Sequence, residues 1–420
     1  MNIVPYEFLK RIGLVTLIRV FGAIVGFISN VIINRVLGIE VAGHYYLIIT
    51  IVTFLGVLFN FGVPSLIMRN TAYGVNIKFN CKDESFYWIL SRYIASIVAI
   101  FLLVNFLSYL LLESEKYNFI LEHKYGVISA ISLTVLQAYV ASYCHGKGLI
   151  KTFSFVTTCS IPLGIVTYTA LFNPYGLSTF IYIYNSAIFL SIIVSSLFVI
   201  YHDNNTSNVE KTTRVDFKKS GQRDFWFTNC LGAINSSATI FIVSYCLTVE
   251  DVAVISVANR LVILVTFMMS SLQVIVAPRL ARLYADNNIE KLVDYYRKTT
   301  LLLAAVSLPF VIALIIFSEE ALSVFGEEYK KASYVLIILV LAQFISVCCG
   351  SVWTLLNMTG NEKIVRKVVT ITTLLSLLFT PILSLKLGVE GAAISLLVSV
   401  ALSNIIPFHY ANKMFKIIKL

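Results

Sequence analysis

The chain of 420 residues is 58% hydrophobic and only 13% charged, with a formal net charge of +10 and a mean hydropathy of +0.85. Soluble domains carry roughly 25% charged residues, so a water-soluble globular protein is excluded. The basic excess follows the apolar segments, as shown below, and does not imply nucleic acid.

A helix crosses the hydrocarbon with about 20 apolar residues. Stretches of that order run Ile12–Val36, Tyr45–Leu66, Tyr87–Leu112, Val127–Tyr143, Phe153–Phe172 and Ser178–Ile200. After a polar run the pattern resumes at Phe225–Val249, Val252–Val276, Thr299–Phe317, Tyr334–Leu356, Val365–Leu385 and Val389–Ala411. The expected fold is an all-α polytopic membrane protein with 12 transmembrane helices. When alternate connections are assigned to opposite sides, 23 Lys and Arg residues fall on the side of both termini and six on the other. That bias places both termini in the cytoplasm, with a secondary attraction to anionic head groups. The first span outlasts a signal-peptide core, contains Arg19 and lacks a small-residue cleavage site, so it is read as a retained helix. The seven cysteines show no CxxC or zinc spacing and are expected to pack, with no metal and no cofactor.

The halves are related. Leu37-Gly38-Ile39-Glu40 resembles Leu247-Thr248-Val249-Glu250, Pro64…Arg69 resembles Pro278…Arg282, and Gly148-Leu149-Ile150-Lys151 resembles Gly360-Asn361-Glu362-Lys363. The domains expected are an N-terminal six-helix bundle over 1–200, a cytoplasmic linker over 201–224 and a C-terminal six-helix bundle over 225–420. Six being even, the repeats are parallel, and two such bundles enclose a cleft that alternates its access. The run Arg279–Arg297, with Leu280, Leu283, Leu292, Val293 and Tyr296 among charges, is expected to lie as a short amphipathic helix at the cytoplasmic face.

The run from Arg19 through Leu37-Gly38-Ile39-Glu40-Val41-Ala42-Gly43-His44-Tyr45, then Phe61-Gly62-Val63-Pro64, resembles the N-terminal pattern of polysaccharide transporters in the multidrug/oligosaccharidyl-lipid/polysaccharide (MOP) superfamily. Leu387-Gly388-Val389-Glu390-Gly391-Ala392-Ala393-Ile394 resembles the entry to their last helix. The resemblance implies a MATE/MOP-like fold and a Wzx-type O-antigen flippase. Such a protein moves an undecaprenyl-diphosphate-linked oligosaccharide from the cytoplasmic to the periplasmic leaflet of a bacterial inner membrane. It also implies, as partners, membrane lipid, a polysaccharide polymerase and a chain-length regulator. The sugar does not carry over.

A charge at mid-bilayer costs about 2.5–3.5 kcal/mol on insertion scales, so intramembrane ionisable residues are candidates for function. Three remain after the topology count, all arginines: Arg19, Arg92 and Arg260. Arg260 lies about 13 Å into span eight, Arg19 about 10 Å into span one and Arg92 a similar distance into span three, at 1.5 Å per residue. For Arg19 and Arg92, snorkelling to the head groups is the competing reading. Guanidinium forks pair with phosphate or carboxylate oxygens and stay charged. Polar stripes accompany them: Thr16, Arg19, Ala23, Gly26 and Asn30 in span one; Asn229, Gly232, Ser236 and Thr239 in span seven; Asn259, Thr266, Ser270 and Gln273 in span eight. These residues either line a cleft and bind substrate or pack helices together, as Gly22-x-x-x-Gly26 would.

Acidic residues fall only at span ends, which leaves no carboxylate to bind Na⁺ or relay protons and weighs against a cation-coupled drug exporter. An anionic cargo leaving a negative interior gains about 2.3 kcal/mol per charge per 100 mV. No Walker A, HExxH, GxSxG or Rossmann fingerprint is present, so an enzyme is not expected. A membrane polymerase or ligase would need a long periplasmic loop. The largest periplasmic pieces here, about 113–124 and 318–331, are short.

Overall fold

A computed structural model describes residues 6–72, 84–110, 118–172, 175–206 and 221–417. They form α1 (Tyr6–Phe59), α2 (Val63–Ala72), α3 (Glu84–Leu110), α4 (Asn118–Glu122), α5 (Lys124–Gly146) and α6 (Ile150–Ser154). After a π-helical turn over Phe155–Cys159 come α7 (Ser160–Leu171), α8 (Gly176–Thr206), α9 (Gln222–Cys246), α10 (Val249–Ala285), α11 (Ile289–Ile316) and α12 (Ser318–Ser323). A 3₁₀ turn over Glu327–Ala332 precedes α13 (Ser333–Cys348), α14 (Val352–Met358) and α15 (Glu362–Phe415). No strand occurs among the described residues. Nine helical stretches among them are long and apolar enough to cross a membrane. Two of the nine, in α1 and α15, each carry a kink and hold two expected spans, and the expected span Val252–Val276 lies on α10. The chain is therefore an all-α, multi-pass membrane protein, in which helices satisfy every backbone group that lipid cannot.

The two kinks are one device used twice. Gly38 has φ 74 and ψ 170, and Gly388 has φ 63 and ψ −146, a region essentially reserved for glycine. Each sits in a Leu-Gly-Ile/Val-Glu sequence and reverses the chain between consecutive spans, with Glu40 or Glu390 in the first turn beyond. An acid there complements the positive end of the new helix. The related sequence Leu247-Thr248-Val249-Glu250 breaks differently. Thr248 N-caps α10 through a reciprocal capping box with Asp251, so the sequence repeat is not a repeat of backbone conformation.

The chain divides into two compact units, 1–37 with 44–234 and 38–43 with 235–420. The division falls inside α9, ten residues past the linker expected from composition, because the start of α9 is bonded to the turn after α1. Gln222 Nε2 donates to the Phe61 carbonyl at 2.8 Å and Trp226 Nε1 to that of Leu58 at 2.7 Å. Within the first unit α5 is central, packed against α2, α3 and α8. Its buried positions Val127, Ala130, Ile131, Val135 and Tyr139 recur every three or four residues, the period of one helix face. Within the second unit α13 is central, against α10, α11 and α15. The two arms of α15 are joined by hydroxyls: Thr380 Oγ1 meets Ser395 Oγ at 2.8 Å, and Ser399 Oγ donates to the Thr372 carbonyl at 3.4 Å. Lipid tails supply no hydrophobic force between helices, so small residues and hydrogen bonds of this kind carry the association.

Two expectations need correction. The span Tyr45–Leu66 is not continuous. Helix α1 stops at Phe59, the chain turns through Phe61 (φ 50) and Gly62 (φ 72), and Asn60 Oδ1 accepts from the Gly62 amide at 2.8 Å before α2 begins. Span five holds as one helical stretch, Ile150–Leu171, with the π-helical turn inside it. The expected amphipathic helix over Arg279–Arg297 does not exist as an element: α10 runs on to Ala285, turns through Asn287 (φ 52) and is followed by α11. Leu280, Leu292, Val293 and Tyr296 enter a core cluster with Cys349, Val352, Leu355 and Leu356. An apolar stripe at helical spacing fits a protein interior as well as a lipid surface, and here the interior takes it.

Candidate functional site

In the first unit, α1 presents its small residues to the π-helical turn. A Cβ on Gly22 would come within 2.9 Å of Cys159 Sγ and 3.0 Å of Thr158 Oγ1, and one on Gly26 within 3.8 Å of Pro162. Cys159 Sγ also contacts the Ile18 carbonyl at 3.4 Å. The Gly22-x-x-x-Gly26 face is thus a helix contact. Asn30, at 6% exposure, belongs to the hairpin around Gly38. Its Nδ2 donates to the Gly26 carbonyl at 2.5 Å, and the Tyr46 hydroxyl approaches its Oδ1 at 3.4 Å. Asn34 Nδ2 donates to the Asn30 carbonyl at 2.7 Å and to the Tyr46 hydroxyl at 2.6 Å. Buried amides must be paired, and Asn30 meets that requirement within its own unit. Asn229 is partly buried, with Nδ2 3.4 Å from Ser65 Oγ, on the side of α9 that carries Gln222 and Trp226.

The arginines are placed otherwise. Arg19 is partly buried and lies close enough to His145 for its charge to act there. His145 stacks on Phe153 with ring centroids 4.3 Å apart and planes 15° apart. His145 is in the last turn of α5, so Arg19 is level with the end of α5 and the start of α6. Arg92 is exposed, with its guanidinium 5.6 Å from the Trp88 ring centroid, a pairing worth about 0.5–1 kcal/mol at exposed sites. Arg260 is partly buried on α10, just after Val252–Ala258, a run in which every residue is buried. It lies eleven positions on from Val249 at the start of α10, about 16 Å along the axis. It is the deepest of the three. Asn259 beside it is partly buried. Gln273 lies on α10, with its side chain outside the described residues, as are those of Thr16, Thr266 and Ser270.

One polar centre escaped the sequence reading. Gln137 Nε2 lies 3.2 Å from the Val156 carbonyl and 3.0 Å from Ser191 Oγ, tying α5 to the π-helical turn and α8. A π-helical turn leaves backbone carbonyls without their usual partner, and such turns gather at functional positions. A lone amide in an otherwise apolar span was the available signal. Among the described residues six cysteines are free thiols, and no cluster of His, Cys, Asp and Glu could hold a metal.

A model of the MatE family matches residues 225–382, less than half of the chain. A curated relative, the probable low-salt glycan biosynthesis flippase Agl15 of Haloferax volcanii, is 32% identical over 114 residues, which cover 26% of this chain and 24% of the relative. The match therefore spans about a quarter of that protein's length. Among solved structures, the lipid II flippase MurJ in an inward closed conformation superposes with a TM-score of 0.70 at 18% identity, covering 95% of this chain and 87% of MurJ. An inward-facing multidrug resistance MATE transporter of the MOP superfamily gives a TM-score of 0.64 at 15% identity, covering 96% of this chain and 98% of that one. The chain shares the fold of these MATE and MurJ structures.

Proposed function

We propose that this protein is a flippase of lipid-linked glycans. It carries an undecaprenyl-diphosphate-linked O-antigen or related polysaccharide repeat unit from the cytoplasmic to the periplasmic leaflet of a bacterial inner membrane by alternating access. The observation that carries this reading is the character of the ionisable groups in the spans: three arginines and, away from span ends, no carboxylate. Arginine pairs bidentately with diphosphate oxygens and repels cationic drugs. Arg19 sits where a cargo in the cytoplasmic leaflet is first met, while Arg260 is deepest and best placed to hold the diphosphate in transit. Arg92, Asn259 and Gln273 are the further substrate-contacting residues proposed. Asn30 and Asn229 are proposed with them as substrate-contacting residues. The glycan-flippase relative and the lipid II flippase fold support the substrate class, and the polymerase and chain-length regulator of the same pathway are the proposed partners. The proposed domains are an N-terminal six-helix bundle over 1–200, a cytoplasmic linker over 201–224 and a C-terminal six-helix bundle over 225–420.

Mass spectrometry of lipid-linked intermediates in a strain lacking the gene tests this. Single undecaprenyl-linked repeat units should accumulate while surface polymer is lost. The MatE match over 225–382 favours a second reading, a cation-coupled exporter of drugs or small molecules. Intact polymer with new drug sensitivity would select it.

A further inference from the structure

The two arms of α15 separate at their cytoplasmic end. A cavity of about 320 Å³ opens there, lined by Lys363, Ile364, Lys367, Val368 and Ile371 of the first arm and by Ile406 and Tyr410 of the second. Farther into the membrane the arms are closed by the Thr380–Ser395 hydroxyl pair, so the gap is confined to one leaflet. Its chemistry changes along its length. Lys363 and Lys367, one helical turn apart on one face, are both exposed at the lip. Neither is paired with an acid among the described residues. Below them the wall is isoleucine and valine. Lys363 and Ile371 are separated by about 12 Å of helix, the step from head-group level to the acyl region. The crevice between α2, α3 and α5, walled by Ile67, Leu136, Tyr139 and Tyr143, has no cation in its lining and carries no comparable signature.

We propose that the cavity between the arms of α15 holds one anionic phospholipid of the cytoplasmic leaflet. Its phosphate lies against Lys363 and Lys367, and one acyl chain runs along Val368, Ile371 and Ile406. A soluble phosphate would leave the apolar wall bare, and a zwitterionic lipid would set its own cation beside two lysines. The lipid closes a seam that the protein's own side chains leave open, and the assignment stands independently of what the protein transports.

Native mass spectrometry of the purified full-length protein, released from micelles holding phosphatidylglycerol and phosphatidylethanolamine in equal amounts, tests it. One phosphatidylglycerol should be retained preferentially. Each basic residue near an anionic surface contributes about 1 kcal/mol, about fivefold. K363Q/K367Q should therefore lower that preference about 25- to 30-fold, while I371W, which fills the cavity with both lysines intact, should lower retention of either lipid. Equal retention of the two lipids by the wild type, or wild-type retention by K363Q/K367Q, overturns the proposal. Displacement of phosphatidylglycerol by an equal amount of undecaprenyl phosphate overturns it too, by assigning the cavity to a polyprenyl carrier.

Discussion

Replacing Gly388 with alanine isolates the backbone term of the hairpin between the last two spans. Nothing lies within 4 Å of a Cβ built at Gly388, so the substitution introduces no clash, and any loss comes from φ 63 and ψ −146. Holding a non-glycine residue there costs about 1–3 kcal/mol. Alanine also restricts the unfolded chain, which returns about 0.4–1 kcal/mol, leaving a net loss of about 1–2 kcal/mol. For units of this size 1 kcal/mol moves the unfolding midpoint by about 2–4 °C, so Gly388→Ala should unfold about 2–8 °C below the wild type in detergent. Gly232→Ala is the control. It too has nothing within 4 Å of its Cβ but lies inside α9 with no positive φ, and there alanine should stabilise by about 0.5–1 kcal/mol. A Gly388→Ala midpoint equal to or above that of Gly232→Ala would refute the reasoning.

Asn34→Leu should destabilise by about 1–3 kcal/mol, because Asn34 is 2% exposed and bonds both the Tyr46 hydroxyl and the Asn30 carbonyl; thermal unfolding beside Tyr46→Phe shows whether the two losses overlap, as one network requires. Arg297 donates to the carbonyls of Ile417 and Lys416, and charge-assisted bonds of this kind are worth about 1.5–3 kcal/mol. Arg297→Met should therefore speed hydrogen exchange through the last turn of α15, while unchanged exchange there would remove Arg297 from the C-terminal anchor. Arg260→Ala should abolish polysaccharide export at normal protein level, and Arg260→Lys should restore part of it if a point charge suffices and little if bidentate pairing is needed. Normal polysaccharide from Arg260→Ala would take Arg260 out of the mechanism.

The spans were legible because lipid allows the backbone few solutions: an apolar run of adequate length must be helical and cross, and lysine distribution orients it. Local breaks were less legible. Leu-Gly-Ile-Glu and Leu-Gly-Val-Glu announce their turns through glycine, but Asn60-Phe61-Gly62 breaks a span in the middle of an apolar run, and Phe155–Cys159 widens a helix without any residue that demands it. Those turns follow from tertiary contacts, Trp226 on the Leu58 carbonyl and Gln137 on that of Val156, between residues 168 and 19 positions apart. Periodicity within one helix carries no information about them.

The same limit divides the candidate site. A polar residue in a span faces either a neighbour that can pair it or a ligand, and a helical stripe is identical in the two cases. What separates them is valence. An asparagine is neutral, with one carbonyl acceptor and an NH2 of two donors, and a tyrosine and a backbone carbonyl can pair its oxygen and its nitrogen, as Tyr46 and Gly26 do for Asn30. An arginine offers five donors and a permanent charge. With no carboxylate buried among the described residues, little is at hand to neutralise it, so the charge is drawn toward head groups, aromatic rings or an anionic cargo. Arg19 lies by His145 where α5 ends, and the Arg92 guanidinium lies over the Trp88 ring. Arg260 is the deepest of the three along its helix, which is why it is the arginine proposed to meet an anionic cargo.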